Sequence, residues 1–129
     1  MPSDSDRYTI ISVDGHAGAD MRAYKPYLAS KYHDEFDAWA DAYVNPFADL
    51  LAKTAYRNWD SDKRIEETES QGVVAEVLFP NTIPPFFAQS NLTALEPTEA
   101  DYEHRWAGLQ AHNRWLADFC ACSPAQRCS

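Results

Sequence analysis

The sequence predicts an α/β fold in which strands and helices alternate around a parallel sheet. Two strand signals carry this. Tyr8-Thr9-Ile10-Ile11-Ser12-Val13 is a β-branched and aromatic run, and Gly72 to Pro80 (GVVAEVLFP) is almost continuously apolar, as a parallel strand covered on both faces should be. Between and after them lie stretches with helical spacing, so the order of elements is that of βα units. Two parallel strands do not make a finished sheet. A complete (β/α) barrel needs about 250 residues, so the 129 residues read as the start of something larger.

The first strand ends in Asp14-Gly15-His16. Side chains alternate faces along an extended chain, so Asp14 and His16 project to the same side, and carboxylate oxygen and imidazole nitrogen both suit a divalent cation. The same residues also read as an Asp-Gly turn with a solvated histidine beside it. Gly15 and Gly18 mark the point where the chain turns. From Lys31 to Val44, Tyr32, Phe36, Trp39 and Tyr43 recur at helical steps on one face, a core-packing stripe, while Asp34, Glu35, Asp37 and Asp41 occupy the others. Asn45-Pro46 then opens a second helix with Phe47, Leu50 and Leu51 inward.

Asn58 to Ser61 is a capping loop into a charged helix over 62–71, stopped by Gly72. Pro80-Asn81 ends the second strand. The loop beyond it carries Phe86 and Phe87, which either wall a substrate pocket or pack beneath the loop; the sequence leaves both open. Such a loop lies on the C-terminal side of the strand, where α/β folds place their chemistry. The longest helix follows Thr98, with Asp101 three residues on as in a capping box. Its buried stripe reads as Tyr102, Trp106, Leu109, Asn113, Leu116 and Cys120, with Asn113 in a structural hydrogen bond and His112 beside it. Ser123-Pro124 stops this helix.

Composition narrows the function classes. A net charge of -9 and a pI near 4.7 disfavour nucleic acid and anionic membrane as partners. The 13% aromatic content argues against disorder. No apolar run approaches the roughly 20 residues of a membrane span, and the polar, acidic N-terminus is unlike a signal peptide, so a cytoplasmic location is expected. Three cysteines, Cys120, Cys122 and Cys128, are bunched near the C-terminus and read as reduced thiols, two of them at a helix end. With neither a Gly-x-Ser-x-Gly elbow nor a His-Glu-x-x-His motif, and with the cysteines at a helix end rather than after a strand, a serine or cysteine hydrolase is disfavoured.

Asp14-Gly15-His16, the strand Gly72 to Asn81 and the segment 113–120 (NRWLADFC) together resemble one family, over nearly the whole chain from Ile10 to Arg127. The chain is similar to the N-terminal part of the amidohydrolase 2 group, the metal-dependent (β/α)8 TIM barrels that include aminocarboxymuconate-semialdehyde decarboxylase and the dihydroxybenzoate decarboxylases. Residues 124–127 (PAQR) are similar to the segment before that family's third strand.

The resemblance implies about two βα units of the barrel with a helical insertion, residues 1–129 forming one partial domain truncated before the third strand. It implies that Asp14 and His16 bind a divalent metal, zinc or manganese, for hydrolysis or decarboxylation of a small organic substrate. The family's other ligands and its catalytic histidine come from later strands, so this chain by itself is expected to be an inactive fragment, a truncated or frame-shifted product or one piece of a split gene. The rival expectation is a non-enzymatic interaction module, pairing with a complementing chain or forming a homo-oligomer through its unpartnered edges.

Overall fold

The computed structural model describes residues 8–44, 56–81, 83–88 and 95–121, and the backbone of 127–128. The expected helix at Asn45-Pro46 with Phe47, Leu50 and Leu51, the helix stop at Ser123-Pro124, and Cys122 lie outside the described residues. The architecture is mixed α/β. Strand β1 (Ile10–Ala17) pairs in parallel with β2 (Val73–Pro80), from Ile10 opposite Val73 to Ala17 opposite Pro80. Where the sequence predicts an end before any third strand, Arg127–Cys128 forms a two-residue β3, parallel to β2 opposite Glu76 and Val77.

β1 does not turn at Gly15 but continues to Ala17, which corrects the turn reading of that glycine. A Cβ on Gly15 would stand 2.8 Å from Leu78 Cδ2 and 3.1 Å from Arg64 Nη2. The residue is glycine because a guanidinium and a leucine pass close beneath it.

A seven-residue 3-10 segment, Met21–Tyr27, follows β1, with the Asp20 carboxylate capping it by accepting from Arg22 N. Helix α1 (His33–Ala42) carries the expected aromatic stripe, with Tyr32 and Phe36 buried and Trp39 and Tyr43 packed against the core. Helix α2 (Ser61–Ser70) is capped by Asp60, whose carboxylate accepts from Lys63 N at 3.0 Å. It is followed by Gly72 at φ +75, a left-handed conformation that glycine adopts at no steric cost.

Helix α3 (Tyr102–Ala121) is entered through Thr98, whose carbonyl accepts from Asp101 N and Tyr102 N. Its inward face is not the one the large residues mark. Ala107, Gly108, Ala111, His112, Trp115, Leu116, Phe119 and Cys120 are buried, while Tyr102, Trp106, Leu109 and Asn113 are exposed. The reason is distance of approach. A Cβ on Gly108 would lie 2.0 Å from the Pro85 carbonyl oxygen, so the seam against the 84–87 loop admits only the smallest side chains. Leu116 and Cys120 belong to both readings; Asn113 needs no buried partner because it is not buried.

Candidate metal site at the end of the first strand

Asp14 and His16 are brought together. The pairing register gains one residue on β1 between Ser12 and Gly15, a bulge that locally re-aims side chains. His16 Nε2 nonetheless lies 3.4 Å from Asp14 Oδ1, with the two side chains 50% and 90% exposed.

The orientation of the imidazole is set from the neighbouring strand. His16 Nδ1 is 3.0 Å from the Pro80 carbonyl oxygen, which can only accept, so Nδ1 carries the proton and donates. In the neutral ring this leaves the Nε2 lone pair on the Asp14 side, the tautomer that a backbone carbonyl typically imposes on a metal-binding histidine. The ring also packs against Phe79, its parallel-strand partner, at 6.0 Å between centroids.

The backbone beneath the pair is held by a buried ion pair. Arg64 donates from Nε and Nη2 to the two oxygens of Glu76 (2.7 and 2.9 Å), and from Nη1 to the His16 carbonyl at 2.8 Å and the Arg57 carbonyl at 3.1 Å. Both side chains of the pair are less than a tenth exposed. One guanidinium thus joins α2, β2, the 56–58 turn and the strand residue that offers the imidazole. The charge of Glu76, alone in an otherwise apolar strand, was the signal that a buried cation must face it.

These residues line a cleft of about 620 Å³ that also takes in Arg57, Asn58 and Asn81. Asn81 is held by its own N–H, which donates to the Ala17 carbonyl at 3.1 Å, and its side-chain Oδ1 is buried with no hydrogen-bond partner among the described residues. From sequence Asn81 reads only as a strand-ending residue; parallel pairing brings it beside the end of β1. Phe86 and Phe87 are not among the cleft-lining residues. The Phe86 ring sits amid Tyr32, Phe36, Trp39 and His104, at centroid distances of 5.1 to 6.3 Å, on a backbone with φ 69. Phe87 lies under the Arg105 guanidinium at 4.5 Å.

The donor set fits a divalent ion in type and spacing. Two donors at about 2.0–2.2 Å from a tetrahedral ion stand roughly 3.3–3.5 Å apart, which the Asp14–His16 pair matches. It falls short in number, for no group of three His, Cys, Asp or Glu side chains suited to a metal occurs among the described residues. No helix among the described residues is long and apolar enough to cross a membrane. No family model, curated protein or solved structure matches this chain.

Proposed function

We propose that this chain is the N-terminal part of a metal-dependent hydrolase or decarboxylase of the amidohydrolase 2 type, a (β/α)8-barrel portion whose Asp14 and His16 bind zinc or manganese. The observation that supports this reading is the 3.4 Å separation of His16 Nε2 and Asp14 Oδ1, with the opposite ring nitrogen committed to the Pro80 carbonyl. A bound metal would supply Lewis acidity, polarising a substrate oxygen or activating water. The chain's own part is to place one carboxylate and one imidazole at a shared point and to hold the His16 backbone there through Arg64, itself paired with Glu76.

A catalytic metal ordinarily takes three protein ligands and an open position. Two side chains therefore supply part of a centre, and the reading assigns turnover to an assembly rather than to these 129 residues alone. The test is elemental analysis of the purified chain after loading with zinc or manganese and dialysis. About one ion per chain is expected in the parent and in His33→Ala, whose ring instead meets the Leu28 carbonyl, and none in Asp14→Ala/His16→Ala. A metal-free parent, or equal content in the double variant, would overturn the site.

A second reading, a non-enzymatic chain that pairs with another, is favoured by apolar side chains left in solvent on the sheet, among them Ile11, Val13, Val74 and Phe79. Sedimentation across a range of concentrations examines self-pairing directly. A chain that stays monomeric throughout loses that form of the reading.

A further inference from the structure

A second opening, of about 280 Å³, begins with the residues that follow β1 and is lined by Ala19, Asp20, Ala23, Trp59 and Trp115. Among the described residues its lining is two tryptophans, two alanines and one aspartate. The indoles are held from behind. Trp115 is nearly buried, with Tyr24 edge-on at 5.7 Å and Phe119 stacked at 5.1 Å, and Trp59 meets Tyr56 at 6.1 Å.

The Asp20 carboxylate makes no direct salt bridge among the described residues, although its charge acts on the nearby Arg22 guanidinium. Asp20 Oδ1 accepts the Arg22 backbone N–H at 3.0 Å, and no ion pair to Asp20 occurs among the described residues. The guanidinium nearest in sequence, that of Arg22, is engaged by Asp41 instead. An anion would meet a carboxylate here and no cationic side chain, and a purely apolar ligand would leave that carboxylate to be desolvated without return. Indole walls beside a carboxylate that makes no direct salt bridge among the described residues match a cation whose charge is spread over methyl groups.

We propose that this opening binds a small quaternary ammonium ion, with Trp59 and Trp115 contacting the methyl groups and Asp20 supplying the countercharge. The site is separate from Asp14 and His16 and does not depend on a metal. A ligand of so few atoms is expected to bind with a dissociation constant on the order of millimolar.

The experiment is calorimetric titration of the intact 129-residue chain with choline, and with 3,3-dimethylbutan-1-ol, which has the same shape without the charge. Choline should bind saturably and the neutral analogue at least about fivefold more weakly. Asp20→Asn, which keeps the capping oxygen for Arg22 N, should weaken choline about threefold or more, and Trp59→Leu about fivefold. Because Asp20→Asn and the neutral analogue leave the core untouched, a misfolded Trp59 variant does not blunt the test. No choline binding to the folded parent, equal binding of the neutral analogue, or an unchanged constant in Asp20→Asn would each overturn the proposal.

Discussion

The layer formed by the 3-10 segment, α1 and α3 differs from the sheet in how fully its apolar residues are covered. In the helical layer Tyr24, Phe36 and Ala111 are completely buried, and ring contacts run unbroken from Tyr43 through Trp39 and Phe36 to Phe86 and His104. In the sheet, Ile10, Ile11, Val13, Val74 and Phe79 are all exposed, although the strands carrying them are as apolar as any part of the chain. The helical layer is the more nearly finished core, though Tyr102, Trp106 and Leu109 of α3 stand in solvent, while the sheet buries Ala17 and Leu78 but otherwise has the composition of a strand pair covered on both sides and the burial of one that is not. The candidate metal ligands stand on the unfinished part, where Arg64 of α2 and Glu76 of β2 steady the His16 backbone.

The junction is where a substitution should do most. Arg64→Ala leaves the Glu76 carboxylate buried without its cation and releases the His16 carbonyl, at an expected cost of about 3–5 kcal/mol. Urea denaturation of Arg64→Ala beside Arg64→Met/Glu76→Leu checks it. The double variant, which removes both charges and fills the space with apolar volume, should regain most of the loss. A cost below about 1 kcal/mol in the single variant would mean that sheet and helices are not coupled through this pair.

The finished core carries its own titratable group. His112 is 1% exposed, stacked on Tyr24 at 5.3 Å, with neither ring nitrogen hydrogen-bonded among the described residues. Burial pushes its pKa down to about 4 from an ordinary 6.5. The folded state thus holds the neutral ring, and the unfolded chain takes up the proton first. The stability this group contributes is fully present above about pH 6.5, is lost as the pH falls from there toward 4, and levels off below. The loss amounts to at most about 3 kcal/mol. Unfolding midpoints at pH 7 and pH 4.5, for the parent and His112→Phe, isolate this from the carboxylates. The variant should show a shallower acid loss; parallel slopes would rule out His112 as the source.

The same contrast explains what was legible in the sequence. β1, β2, the aromatic face of α1, a helix cap within Asn58 to Ser61 and the stop at Gly72 rest on signals confined to a few neighbouring residues, and the structure agrees on each, taking Asp60 as the cap. The meeting of Asp14 with His16 followed from alternation along one strand and survived the bulge. What could not be read depends on approach between distant segments. Large side chains dominate a hydrophobic pattern, so Tyr102, Trp106 and Leu109 pointed to the wrong face of α3, whereas Gly108 against Pro85 decides the seam. Gly15 likewise looked like a turn because the guanidinium passing beneath it comes from 49 positions later in the chain. Asn81 entered the cleft only through parallel register, which no local pattern encodes.

The smallest expected effect on stability is also the one that examines the unfinished face. Val13 is 67% exposed, one residue before the metal-ligand candidate and at the bulge. With so little area buried within the chain, Val13→Thr, which keeps the β-branch, should change unfolding stability by less than about 0.5 kcal/mol. Its effect should appear in association instead. If the sheet's exposed apolar residues are covered by another copy of the chain, sedimentation should show the parent in self-association that Val13→Lys weakens by placing a charge in the contact. A variant that loses 2 kcal/mol or more of monomer stability would mean that Val13 is already packed, and the division between a finished and an unfinished layer would not hold. Unchanged association in Val13→Lys would remove this part of the strand from the contact, leaving Ile11 and Phe79 as the next positions to charge.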